Sequence, residues 1–107
     1  MIHKRDSTQA GKKIITFEIS GSIWAERINL VGDFNNWDRE SLPFRHNRLG
    51  NWEVEVEMDL GAEYRFRYLL DGIHWRYDWH ADKYAPNPDG GYDSIVVAED
   101  AHLLSVP

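Results

Sequence analysis

Apolar and polar side chains alternate with period two along most of the chain. Ile15, Phe17 and Ile19 alternate with Thr16, Glu18 and Ser20, and Ile28, Leu30 and Gly32 follow before Asp33. Trp52, Val54, Val56 and Met58 alternate with Glu53, Glu55 and Glu57; Tyr64, Phe66, Tyr68 and Leu70 alternate with Arg65, Arg67 and Leu69. Successive Cβ atoms of a strand point to opposite faces, so each segment reads as a half-buried strand, and the three glutamates face water. A last strand is expected over about Ser94 to Val97. No segment repeats at the helical period. Asn35-Asn36, Leu49-Gly50-Asn51, Asp71-Gly72 and Pro86-Asn87-Pro88-Asp89-Gly90-Gly91 punctuate the strands with turn chemistry. Short strands at about 8–12-residue spacing predict an antiparallel β-sandwich.

The chain has 107 residues, which supports one domain and excludes a (β/α)₈ barrel of about 250 residues. The expected division is a flexible tail over 1–11, the sandwich over 12–98 and a second tail over 99–107. The longest apolar run, Ile95-Val96-Val97-Ala98, is far short of a membrane span, and the first residues lack the apolar stretch of a secretory signal. With no cysteine, disulfides and thiolate chemistry are excluded, and a cytoplasmic location is expected. Twelve Lys and Arg stand against 18 Asp and Glu, a net charge of −6 that argues against nucleic acid. Lys4-Arg5 and Lys12-Lys13, the only basic clusters, read as a solvated tail.

No catalytic set emerges. The carboxylates form no pair in a desolvating context, no Gly-x-Ser-x-Gly elbow is present, and Gly90-Gly91 lacks the lysine and helix of a phosphate loop. His74 and His80 have no spacing that gathers a metal's ligands, so neither a metal nor a cofactor is expected. Aromatic residues are the conspicuous feature: five Trp, five Tyr and four Phe. Trp52 alternates with valines and belongs to the core, whereas Trp24 has no pattern to place it. Trp37 and Trp75 are each expected in a loop just beyond a strand end or hairpin turn, where an indole either plugs the end of the sandwich or lies flat on its surface. An exposed indole suits the C–H face of a glucose ring, with Asn35, Asn36, Arg67, Asn87 and Asp93 as candidates for its hydroxyl rim. The same surface also suits a protein partner.

Four motifs sharpen this reading. Val31-Gly32-Asp33-Phe34-Asn35-Asn36-Trp37, Tyr64-Arg65-Phe66-Arg67-Tyr68-Leu69-Leu70-Asp71-Gly72, Trp75-x-x-Asp78 and Asn87-Pro88-Asp89-Gly90-Gly91-Tyr92-Asp93-Ser94-Ile95-Val96-Val97 stand in the order seen in family-48 carbohydrate-binding modules. The chain resembles that family over about residues 13 to 98. The family includes the glycogen-binding domain of the AMP-activated protein kinase β subunit and the amino-terminal domains of branching enzymes and isoamylases. The resemblance implies an immunoglobulin-like, early-set sandwich without catalysis that binds α-1,4-glucan or maltooligosaccharide. It also implies Trp37 and Trp75 as stacking walls, with Arg67, Asp93 and Asn35 around the sugar. Arg67 replaces the usual lysine and Asp93 the usual asparagine, which suggests that the two pair. Asp89 stands near the position where some members carry a leucine that threads the sugar ring, implying weaker binding. Some members mainly pack on an enzyme, so docking to an α-amylase-type enzyme or a kinase subunit is the alternative.

Overall fold

A computed structural model describes residues 1–99 of the chain. Its strands are β1 (Ile2–Asp6), β2 (Lys12–Ile19), β3 (Ile28–Gly32), β4 (Arg45–His46), β5 (Trp52–Asp59), β6 (Glu63–Leu70), β7 (His74–Arg76), β8 (Lys83–Pro86) and β9 (Tyr92–Val97). A single 3₁₀ turn, Asp33–Asn35, follows β3. The strands form two antiparallel sheets, one in the order β1-β2-β5-β4 and the other β3-β6-β9-β8, with β7 also paired to β6. This is the antiparallel β-sandwich that the alternation predicts, with the immunoglobulin-like character that the resemblance implies. None of the described residues forms a helix long enough and apolar enough to cross a membrane.

The core lies between the sheets, where inward positions of both interdigitate. Ile15, Phe17, Trp52 and Met58 of the first sheet meet Ile28, Leu30, Phe66, Tyr68, Leu70 and Val96 of the second. Phe17 and Phe66 pack edge-to-face with ring centroids 5.0 Å apart, the arrangement the aromatic quadrupole favours. Trp52 is a core residue, while Trp24 is 93% exposed.

Two readings of the amino end are corrected. Residues 2–6, expected within a frayed tail, form β1 and pair in full with β2. Nor are the basic clusters wholly solvated: Lys13 is buried with its Nζ 2.8 Å from Asp6, and Lys4 Nζ reaches Asp82 at 2.7 Å, while the Arg5 side chain is exposed and that of Lys12 partly so. Lys4 stands on the edge strand and Lys13 on the strand inside it, and carboxylates meet the ends of both apolar stems. Except for Glu99, the expected second tail lies outside the described residues.

Strand β6 organises everything that follows. One of its edges pairs with β3 over Phe66–Leu70. Its other edge is shared, by β9 up to Phe66 and by β7 from Tyr68 onward. Trp75 is therefore a strand residue, opposite Leu69, rather than part of a loop. Opposed residues of an antiparallel pair point to the same face. Two rungs thus cross the outer face of this sheet: Asn29–Leu69–Trp75, and Val31–Arg67 with Asp93 beyond the end of the β6–β9 pairing.

Candidate functional site

Val31 and Leu69 point away from the core, yet they are 0% and 1% exposed. The chain after β3 roofs them. It leaves Gly32, turns through Asp33–Asn35 and returns along β3, where Leu30 N–H donates to Leu42 O and Phe44 N–H to Ile28 O. Trp37 and Arg39 belong to this segment, and Arg39 reaches across to place its Cζ 5.3 Å from the centre of the Trp75 ring.

Trp37 is mounted by a dense set of hydrogen bonds. Asn36 and Trp37 both have left-handed backbones, with φ of 55° and 57°, which non-glycine residues rarely adopt. Trp37 N–H donates to Gly32 O at 2.9 Å and its Nε1 to Asp33 Oδ1 at 3.0 Å. The other oxygen of Asp33 accepts from Arg65 N–H at 2.7 Å, so one carboxylate ties the indole to β6. Gly32 is required at the pivot, since a Cβ there would lie 2.4 Å from Arg65 O and 2.9 Å from Phe66 Cβ.

Asn35 has a different task from the sugar contact expected of it. Its Oδ1 accepts from Gly32 N–H, and its Nδ2 donates to Leu30 O, Asp38 O and Ser41 Oγ. A carboxamide has only two N–H donors, and both are already committed to closing the loop. Asn35 shapes the mount of Trp37.

Asp93 is likewise drawn behind the surface. It is 4% exposed, and its carboxylate accepts from Arg67 Nε at 2.5 Å, Arg65 Nη1 at 3.2 Å and Asn87 Nδ2 at 3.3 Å. Burying an unpaired carboxylate is prohibitively costly, and these donors make the position tenable. Asp93 thus pairs with Arg67 and positions it; it is not placed to touch a ligand.

Arg67 stands at the centre. Its Cζ lies 5.6 Å from the centre of the Trp37 ring and 5.5 Å from that of Trp75. Nε is held by Asp93, while Nη2 has only the exposed Asp89, at 3.9 Å. The cation is favoured by both ring faces, an interaction worth about 0.5–2 kcal/mol for each, depending on desolvation. Both indoles remain partly exposed. The structure therefore gathers Trp37, Trp75 and Arg67 at one surface and sets Asn35 and Asp93 beneath it. Sequence reasoning did not identify Asp33, Arg39 or Arg65. Only the outward position of Arg65 in the alternation of β6 hints at a role.

Chemically, this is a surface with two apolar walls and a fixed multi-donor cation. Among the described residues no three His, Asp or Glu side chains are grouped to hold a metal ion.

Comparison with known proteins finds a matching family and several relatives. The model of the family described as carbohydrate-binding module 48 (isoamylase N-terminal domain) matches residues 9–85. Among curated proteins, a 1,4-alpha-glucan branching enzyme GlgB of Frankia casuarinae is 39% identical over 80 residues, covering 69% of this chain and 10% of the relative. The enzyme of the same name from Aquifex aeolicus is 36% identical over 76 residues, covering 60% and 12%. That of Pseudomonas putida is 41% identical over 58 residues, covering 49% and 8%. The chain spans about a tenth of the length of these relatives.

Proposed function

Because the chain belongs to the carbohydrate-binding module 48 family, a family of non-catalytic accessory modules, we propose that it binds α-1,4-glucan chains such as glycogen, starch or maltooligosaccharides through Trp37, Trp75 and Arg67. The observation that carries this reading is the single guanidinium set 5.6 and 5.5 Å from the centres of two partly exposed indoles. Each indole covers the C–H face of a glucosyl unit, and the terminal nitrogens of Arg67 donate to hydroxyls at its rim. Asp93, Asp33 and Asn35 hold these groups in place before the ligand arrives, which lowers the ordering cost of binding. The branching enzymes that the chain resembles act on 1,4-alpha-glucan by name, which supports the same ligand class here. The lack of cysteine supports a cytoplasmic location.

Titration of tryptophan fluorescence with maltoheptaose or glycogen tests the assignment. Trp37→Ala is expected to weaken binding by about 2 kcal/mol or more, the scale of a buried anchor, with cooperative unfolding retained. The affinity should change little with added salt, because the ligand is neutral. Binding that survives in Trp37→Ala overturns the site.

A second reading, docking on a partner enzyme or kinase-type subunit, is favoured by a different surface. At the end of the sandwich marked by Ile19 and Leu70, a groove of about 570 Å³ is also lined by Ile23, Tyr77 and Trp79. Trp79 is 81% exposed, and Trp24 adjoins Ile23. Apolar exposure of this kind marks interaction surfaces. Substitutions at Trp24 and Trp79 that leave glucan affinity intact but abolish association with an enzyme would separate the two roles.

A further inference from the structure

Beside Trp75 the outer sheet face continues into a depression of about 410 Å³. It is lined by Arg27, Asn29, Arg39, Glu40 and Leu69, with Pro43 and Gly72 at its margins. It is contiguous with the glucan surface, since Leu69 lies opposite Trp75 across the strand pair and Arg39 stands over the Trp75 ring.

Three features make it more than a gap between side chains. Arg27 and Arg39 both line it, and among the described residues neither has a carboxylate within ion-pair distance; Glu40 is the one acid in the lining. Arg27 N–H donates to Asp71 Oδ1 at 3.0 Å beside the depression, so the positive character belongs to the two guanidiniums of the lining, in a chain whose net charge is −6. Second, Asn29 is only 5% exposed, yet its carboxamide has no hydrogen-bond partner among the described residues. Trp52 Nε1 is the one fully buried polar atom without a partner among the described residues, so the Asn29 amide opens into the depression, where it is free to donate to a ligand oxygen. Third, the Arg27 guanidinium lies against the hairpin turn at Gly72, a glycine that the left-handed turn itself requires, with φ of +71°.

We propose that this depression binds a phosphoryl group carried on a glucan chain whose neighbouring glucosyl units stack on Trp75. The inference rests on the glucan reading above and narrows its substrate class to phosphorylated α-glucans. Planar guanidiniums match phosphoryl oxygens in paired hydrogen bonds, and a carboxamide N–H completes the set. Two cations with no basic track beyond them suit one isolated charge. A nucleic acid would meet the repulsion of an acidic protein along the rest of its length.

The test compares, at low ionic strength, maltoheptaose with a maltooligosaccharide of the same length bearing one 6-phosphoryl group. Glucose 6-phosphate and inorganic phosphate serve as separate arms. The phosphorylated chain is expected to bind at least about tenfold more tightly than the neutral one, the scale of charge-assisted hydrogen bonds. Arg27→Gln should remove that gain while leaving maltoheptaose affinity unchanged, and Arg27→Lys should restore part of it. Equal affinity for the two chains overturns this inference and spares the glucan reading. Tight binding of the phosphorylated chain alone upholds the inference and narrows the glucan reading to chains that carry a phosphoryl group. Failure of both chains to bind removes both. If inorganic phosphate or glucose 6-phosphate binds as tightly as the phosphorylated chain, the depression serves free phosphates and the glucan-borne proposal falls.

Discussion

At Trp37 the backbone takes a conformation that costs an L-residue about 1–2 kcal/mol, and the surrounding hydrogen bonds hold it there. Strain of this kind concentrates where a side chain must be presented at a set angle. The same division between presented and supporting groups governs Arg67 and Asp93. Asp93 is also bonded by Arg65 and Asn87, so losing Arg67 leaves the carboxylate partly satisfied. Losing Asp93 frees both arginines from their common anchor. Asp93→Ala should therefore lower stability more than Arg67→Ala does. In a double-mutant cycle on maltoheptaose affinity, the two positions should couple by about 1–3 kcal/mol. Additive losses would show that Arg67 acts without its anchor.

Among the elements, β1 changes the picture most. The family match begins at residue 9, after β1 has ended, yet β1 covers the outer edge of β2 and carries Asp6 to Lys13. Deleting residues 1–7 should leave β2 as a bare edge strand, with a tendency to associate. The stability loss is expected to reach about 2 kcal/mol or more. At roughly 4–8 °C per kcal/mol for a domain of this size, that lowers Tm by about 8 °C or more. Differential scanning calorimetry checks this, and an unchanged Tm would return residues 2–6 to the status of a tail. Strand β7 was hidden in the sequence for a related reason. Three residues are too few to establish a period, and only their pairing with Tyr68–Leu70 makes His74–Arg76 a strand.

For the whole molecule, Tyr68 ties the core to the β7–β8 connection. Its hydroxyl donates to Asp78 Oδ2 at 2.5 Å, Asp78 N–H donates to Ser94 Oγ at 2.7 Å, and Tyr84 OH donates to Asp78 O at 2.6 Å. Burial, reinforced by the charge of Asp78, pushes the Tyr68 phenol well above its usual pKa. The unfolded chain therefore releases this proton first as pH rises. The stabilisation is complete below about pH 10, the unfolded value, and declines as pH climbs above it. Urea unfolding between pH 7 and 11 should show a steeper alkaline loss for the wild type than for Tyr68→Phe. The variant should also be weaker at neutral pH by about 1–3 kcal/mol, because Asp78 keeps a buried oxygen without its donor. Parallel alkaline slopes would exclude Tyr68 as the source.

Strand alternation alone determined the two-sheet architecture, the inward rows Ile15–Phe17 and Phe66–Tyr68–Leu70, and the outward placement of Arg65 and Arg67. A side-chain period of two is a local property, visible in any window a few residues long. Motif order further pointed to Trp37, Trp75 and Arg67. Tertiary structure alone decided which residues stand at the surface and which behind it. Asn35 and Asp93 have the chemistry to meet a sugar, but the folded loop from Leu30 to Ser41 claims Asn35 first, and Arg65 and Arg67 of a strand distant in sequence claim Asp93. It also set Arg39 over Trp75 and brought Arg27, Asn29 and Arg39 around one depression. Arg27 and Asn29 stand at the start of β3, and only the pairing of β3 with β6 and the return of the loop bring Leu69 and Arg39 beside them.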